Sequence, residues 1–322
     1  MTFDLRVLSL AVVLAHAGCH DGGDVDPSTT SASDGPTAGS SSSGDPGTSG
    51  SGSSGSTESG TSAADSSGGE STTGEPDAIE LGAVCPLGER IGEVTILAVD
   101  EVSASLYGRI FDKPDPWIGP AELDNGSCAY HAFQPGGCQG CSAPQVCAYD
   151  GSCVDPRLAF TDATLTVDDG SGEVVIEADP ITGDLYGGVA ADVAAVTLTL
   201  HFGTVDVALP PLGLAADLPD LTTMLQGDST APTAFDATWT ARDDDSRVHT
   251  VIPINHHAQG PTFTVCDVPS SAGAFHADEG MLAPLAVVTG LEYQGTWVSN
   301  TAAVHTALGC VDVRLGREVD AP

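Results

Sequence analysis

The sequence predicts an all-β protein: an antiparallel β-sandwich-like head with a small disulfide-rich module, carried after a disordered linker. Three observations predict it. Apolar residues alternate with polar ones through the C-terminal part, cysteines crowd the middle, and the stretch after the N-terminal residues is almost bare of apolar side chains.

Residues 1–18 have the layout of a secretory signal peptide: Arg6, an apolar run from Val7 to Ala15, and the small-residue exit Ala15-His16-Ala17-Gly18. The run falls short of the ~20 apolar residues that span a bilayer, and no later segment approaches that length. Two processing routes are open. Ala15-His16-Ala17 fits the A-x-A rule for simple secretion, with a new N-terminus at Gly18. Ala17-Gly18-Cys19 matches the end of a bacterial lipobox, in which the cysteine is acylated and becomes the first residue, although His16 stands where Leu is usual. Cysteine number favours acylation. The chain has nine cysteines; apart from Cys19, the rest can pair among themselves, and a lone exported thiol is a liability. A lipid bilayer, reached through an acyl anchor on Cys19, is therefore an expected partner. His20 rather than Asp after that cysteine points, by the enterobacterial sorting pattern, to the outer membrane; a secreted protein is the alternative.

The lipidation site and linker occupy 19–78. From Gly22 to Ala78, 38 of 57 residues are Gly, Ser or Thr, nine are acidic and none is basic or aromatic. So little apolar surface cannot offset the entropy of ordering, so a flexible tether is expected, with a mean span on the order of 40 Å.

The head is expected in three parts: an N-terminal β segment (79–127), a disulfide-rich module (128–154) and a C-terminal β-sandwich region (155–322). Gly92 to Phe111 supplies the first β stretch. Thr164 to Val167 alternates, Asp168 to Gly172 reads as a turn, and Val174 to Ile176 resumes; Val196 to Leu200 and Thr262 to Cys266 alternate again. Near the end, Val311, Val313 and Leu315 share one face while Cys310, Asp312 and Arg314 share the other. Helix signals are confined to Asp220–Gln226, a short helix or turn, and Asp278–Leu285, interrupted by Pro284.

Eight head cysteines remain: Cys85, Cys128, Cys138, Cys141, Cys147, Cys153, Cys266 and Cys310. Cys138-x2-Cys141 has the spacing of half a zinc site, but export favours disulfides. The expected pairs are Cys138 with Cys147 and Cys141 with Cys153 inside the module, Cys85 with Cys128, and Cys266 with Cys310 across the C-terminal sheet.

"VTILAVDEVSASLYGRIFDKP", "GSC", "GCQGCSAPQVCAYDGSCVDP", Thr238-Trp239, "FTVCDV" and Gly273-x-Phe275 together resemble a group of predicted lipoproteins of myxobacteria. Those chains share the Ser/Gly/Thr linker, the C-x2-C-x5-C-x5-C module and a C-terminal β region. The resemblance covers nearly all of 79–322 and implies location and architecture, with no particular chemistry.

Charge and motifs narrow the function. Acids outnumber Lys and Arg by 45 to nine, and the formal net charge of −36 repels phosphate, so no nucleic-acid partner is expected. Neither a G-x-S-x-G elbow, an H-E-x-x-H helix nor a phosphate loop occurs. Histidines around Asn255-His256-His257, with His249, His276 and His305, invite a transition metal but read better as surface positions. Carboxylates in turns suit calcium, and Asp168, Asp169 and Glu173, or Asp243 to Asp245, are the candidates; no cofactor is assigned. The expected function is that of a non-enzymatic surface lipoprotein whose head binds a protein or glycan. The alternatives are a structural envelope component without a specific ligand and an exported hydrolase. An exposed aromatic patch from Trp117, Tyr293 and Trp297 would mark the first; a carboxylate-lined cleft would mark the hydrolase.

Overall fold

The computed structural model describes residues 78–99, 103–133, 140–170, 172–190, 195–254, 262–286 and 295–319. The signal, Cys19 and the linker as far as residue 77 lie outside them, as do Cys138, His256, His257 and Tyr293. Among the described residues no helix is long and apolar enough to cross a membrane.

Strands dominate. The first are β1 (Ala78–Leu81), β2 (Arg90–Ala98), β3 (Ser103–Ile110), β4 (Leu123–Asp124) and β5 (Cys128–His131). Next come β6 (Val146–Cys147), β7 (Cys153–Val154), β8 (Thr164–Asp168), β9 (Glu173–Glu177), β10 (Asp184–Ala190), β11 (Thr197–Phe202) and β12 (Val205–Ala208). The last are β13 (Thr222–Asp228), β14 (Ala231–Thr238), β15 (Ser246–Pro253), β16 (Phe263–Pro269), β17 (Ala274–Asp278), helix α1 (Glu279–Ala286), β18 (Thr296–Thr306) and β19 (Gly309–Val319).

A ten-stranded sheet organises the head, in the order β10-β3-β2-β19-β18-β15-β16-β5-β4, with β1 on the end of β18 that β15 leaves free. Its ladders are antiparallel except that of β2 with β19, which is parallel and joins the two ends of the folded chain. A four-stranded sheet, β12-β11-β8-β9, covers one half of one face of the large sheet. Between them alternation packs Leu106, Leu185, Leu200, Phe202, Val304 and Val313, all fully buried. The β8–β9 hairpin forms with its turn at 168–172. A three-stranded sheet, β13-β14-β17, and α1 bury Phe235, Phe275, Leu282, Val248 and Val298 in a second cluster. Val298 and Val304 are both even positions of β18, so both clusters lie on the same face of the large sheet.

Several expectations are corrected. Strands from all three expected segments, 79–127, 128–154 and 155–322, share the one large sheet, so those segments are not separate folded units. Cys128 belongs to β5 in that sheet, which leaves the hairpin β6–β7 as the nucleus of the module. Asp220–Gln226 is not helical. Thr222 and Thr223 favour extended backbone, and the segment pairs with β14 through a bulge at Gln226/Gly227, where Gly227 has φ 83°. The helix at Glu279–Ala286 runs through Pro284 instead of stopping there, because Met281, Leu282 and Leu285 are buried on the β14–β17 sheet.

The disulfides follow the sheet. Cys141 pairs with Cys153 in the module, Cys128 with Cys266, and Cys85 with Cys310. Cys147 is also bridged, but the expected Cys138–Cys147 pair lies outside the described residues. The expected pairs Cys85–Cys128 and Cys266–Cys310 are wrong, and geometry says why. β18 and β15 separate Cys310 on β19 from Cys266 on β16, three ladder steps or roughly 14 Å, beyond the reach of a disulfide. The two thiols also face opposite sides: Cys266 enters the core with Val268, whereas Cys310 shares a face with Asp312. Cys128 instead lies directly opposite Cys266 in the β5–β16 ladder.

Replacing Cys85 and Cys310 together by Ser opens a link across 225 residues and is expected to lower unfolding free energy by roughly 2–5 kcal/mol, measured by guanidinium denaturation. A peptide map of unreduced protein is expected to join Cys85 to Cys310 and Cys128 to Cys266.

Candidate functional site

The polar chemistry of the head is concentrated on the other face of the ten-stranded sheet. Directly opposed residues in a ladder project to the same side, so the registers define rows across that face. One row runs Asp184, Arg109, Glu93, Asp312. The next runs Tyr186, Tyr107, Thr95, Arg314, Thr301. A third runs Trp297, His249, Asp267. Four of the chain's nine basic residues, Arg90, Arg109, Arg247 and Arg314, lie in or beside these rows.

Arg314 is the hub. Its side chain is 6% exposed, and its guanidinium reaches Asp267 Oδ2 at 2.9 Å, Asp312 Oδ2 at 3.5 Å and Glu93 Oε1 at 3.8 Å. Asp267 is on β16, three ladders away, so the Arg314 side chain lies along the sheet instead of standing off it. Arg247 holds the other Asp267 oxygen at 2.6 Å. Arg90 bridges Asp312 at 3.1 Å and Glu93 at 3.3 Å. Asp312, 1% exposed, also accepts the Cys85 N–H at 2.6 Å. Three cations thus face three anions, and no net charge is buried.

These groups hold their charge states firmly. Burial opposes ionisation of Glu93, yet Arg90, Arg314 and the Thr95 hydroxyl outweigh it and hold its carboxyl below the usual range. Burial likewise opposes ionisation of Asp267, and Arg314 and Arg247 reverse the effect. His249, stacked on Trp297 at 5.4 Å, is pushed down to about 3 by burial and then by Arg314, so its imidazole is neutral at pH 7. The cluster is a fixed electrostatic surface. It also carries buried donors, Arg314 Nε and Nη1, Arg109 Nε, Trp297 Nε1 and Thr301 Oγ1, that find no hydrogen-bond partner among the described residues. Such groups are rare in native interiors.

The residues singled out in the sequence fall elsewhere. Asp168 and Glu173 face each other across the β8–β9 hairpin, and Asp168 Oδ1 accepts the Gly170 N–H at 2.8 Å, closing its own turn with Asp169 beside it. Asp244 is engaged by Ser246, Ser270 and Arg242. His276 meets Asp236 at 2.7 Å, and His305 lies beside Cys310, each away from His249. Among the described residues no group of three or more His, Cys, Asp or Glu is placed to hold a metal ion. Trp297 is 5% exposed and Trp117 half-buried, so the expected aromatic patch does not form from them. Among the described residues, exposed aromatic surface comes instead from Tyr186 and, to a smaller extent, Tyr149. The charged face was missed because alternation placed Asp312 and Arg314 on one side of their strand without showing what lies beside them; the signal available was arginine recurring in β-patterned stretches. No family model matches the chain, and no curated protein is significantly similar to it.

Lowered folded pKa values make stability fall as pH falls. For His249 the loss begins as pH drops below its unfolded value near 6.5 and reaches at most about 2 kcal/mol by pH 5. His249→Gln is expected to flatten that slope in denaturation curves taken from pH 7 to 5. Arg314→Met removes the cation shared by three carboxylates and is expected to destabilise by roughly 3–5 kcal/mol. Thr301→Val removes only an unpartnered hydroxyl and is expected to be neutral or stabilising in the same assay.

Proposed function

We propose that the chain is a non-enzymatic exported lipoprotein of the kind found in myxobacteria. Acylated Cys19 anchors it at the cell envelope, in the outer membrane, residues 19–78 tether it, and the head binds a protein or glycan through its polar sheet face. The observation that carries the binding role is that face: a balanced, fixed set of charges with spare donors, in a protein otherwise poor in basic residues. Catalytic hydrolysis by carboxyl groups needs a proton donor kept protonated near neutral pH. Glu93 and Asp267 are both driven the other way, toward the ionised form.

Cysteine pairing supports the anchor. Six head cysteines pair with one another and Cys147 is also bridged, so Cys19 and Cys138 are the two left over. Cys138 lies nine residues before Cys147 and Cys19 lies 128 before it, so pairing Cys138 with Cys147 closes the shorter loop and frees Cys19 for acylation.

Intact-mass analysis of the native protein with detergent partitioning tests this. The expected result is a diacylated or triacylated chain beginning at Cys19 in the detergent phase. A water-soluble chain beginning at Gly18 would overturn the anchor.

A further inference from the structure

Tyr186 breaks the exposure pattern of the polar face. It projects from β10, the terminal strand of the large sheet, and is 75% exposed, an unusual state for so large a ring. Its register partner is Tyr107, half-buried on β3, so the two tyrosines are directly opposed in the ladder and project to the same side. Two residues along the same strands, Asp184 and Arg109 form an ion pair at 2.5 Å, and Glu93 follows Arg109 across the next ladder with a side chain 36% exposed. The tyrosine row then continues through Thr95 to the unpartnered donors of buried Arg314.

The chemistry of these rows selects among ligands. An anion would meet Asp184 and Glu93 on a protein of net charge −36, and a cation would meet Arg109 and Arg314. A sugar hydroxyl satisfies both kinds of group, because it accepts from a guanidinium and donates to a carboxylate at once. Tyrosine rings supply flat, amphipathic surface against which the C–H faces of a pyranose can pack.

We infer that this edge of the sheet binds an uncharged glycan, with sugar rings lying on Tyr186 and Tyr107 and hydroxyls bonded by Arg109, Asp184 and Glu93. This rests on the binding reading above and narrows it to one ligand class. The free donors of Arg314 and Thr301 lie deeper in the same row and continue its hydrogen-bonding capacity toward the sheet centre.

The test uses full-length purified protein titrated calorimetrically with neutral oligosaccharides of glucose, mannose, galactose and N-acetylglucosamine. At least one is expected to bind. Tyr186→Ala is expected to weaken that binding about tenfold or more, and Tyr186→Phe, which keeps the ring, to retain it. The side chain is so exposed that an unchanged melting temperature is expected to accompany both variants. Equal affinity of Tyr186→Ala and the parent protein would overturn the inference. So would failure of every neutral sugar to bind. A parallel selection from a displayed random-peptide library separates the two levels: peptide binding without sugar binding removes the glycan and leaves the protein-binding reading, and binding of neither removes both.

Discussion

One carboxylate sits where the two ends of the folded chain meet. Asp312 on the last strand takes the Cys85 backbone N–H from the N-terminal side, pairs with Arg90 on the first long strand, and lies beside Arg314 on its own strand. Around it runs the sheet's sole parallel ladder, β2 with β19, and next to it the Cys85–Cys310 bridge. Strand β19 and its hairpin partner β18 contribute Val304, Val311 and Val313 to one core cluster and Val298 and Val319 to the other. Loss of the junction therefore loosens both apolar layers together. The polar face depends on it as well, since this ladder sets Glu93 opposite Asp312 and Thr95 opposite Arg314.

Buried ion networks are a poor source of net stability. Removing three arginines and three carboxylates from water costs several kcal/mol for each ion, and well-packed apolar side chains often do as well in their place. Apolar side chains already fill the opposite face, so nothing in the sheet prevents a second apolar layer. Arginines gathered on this one face, with donors left over, are the observation behind the proposed binding role. Tyr107 and Tyr186 extend that surface toward solvent, and burial and the nearby Asp184 charge raise the Tyr107 phenol above its ordinary range, keeping its O–H intact.

Much of the fold was legible. The period of two within residues 164–176 and 311–315 assigned strands, and in 311–315 the correct faces as well, because side-chain alternation is a local property. Which strands become neighbours is not local. Cys128 and Cys266 are 138 residues apart in sequence and adjacent in the sheet, so cysteine spacing misassigned two bridges. The segment at Thr222 was undecidable alone: its partner β14 decides for strand over helix. The site was the least visible part. Arg90, Arg247, Asp267 and Arg314 come from four strands and become a unit only once the ladder order is known, and Tyr186 gave no signal distinguishing it from a core tyrosine.

The position of β19 between β2 and β18 also bears on when the head can form. A growing polypeptide that has not yet delivered Gly309–Val319 has β2 without its parallel neighbour, Cys85 without its sulfur partner, and two greasy layers with no shared wall. Contacts this distant along the backbone bring no reward until loop closure has been met, so they form late and slowly. The first long strand therefore waits on the last one before its ladder can close.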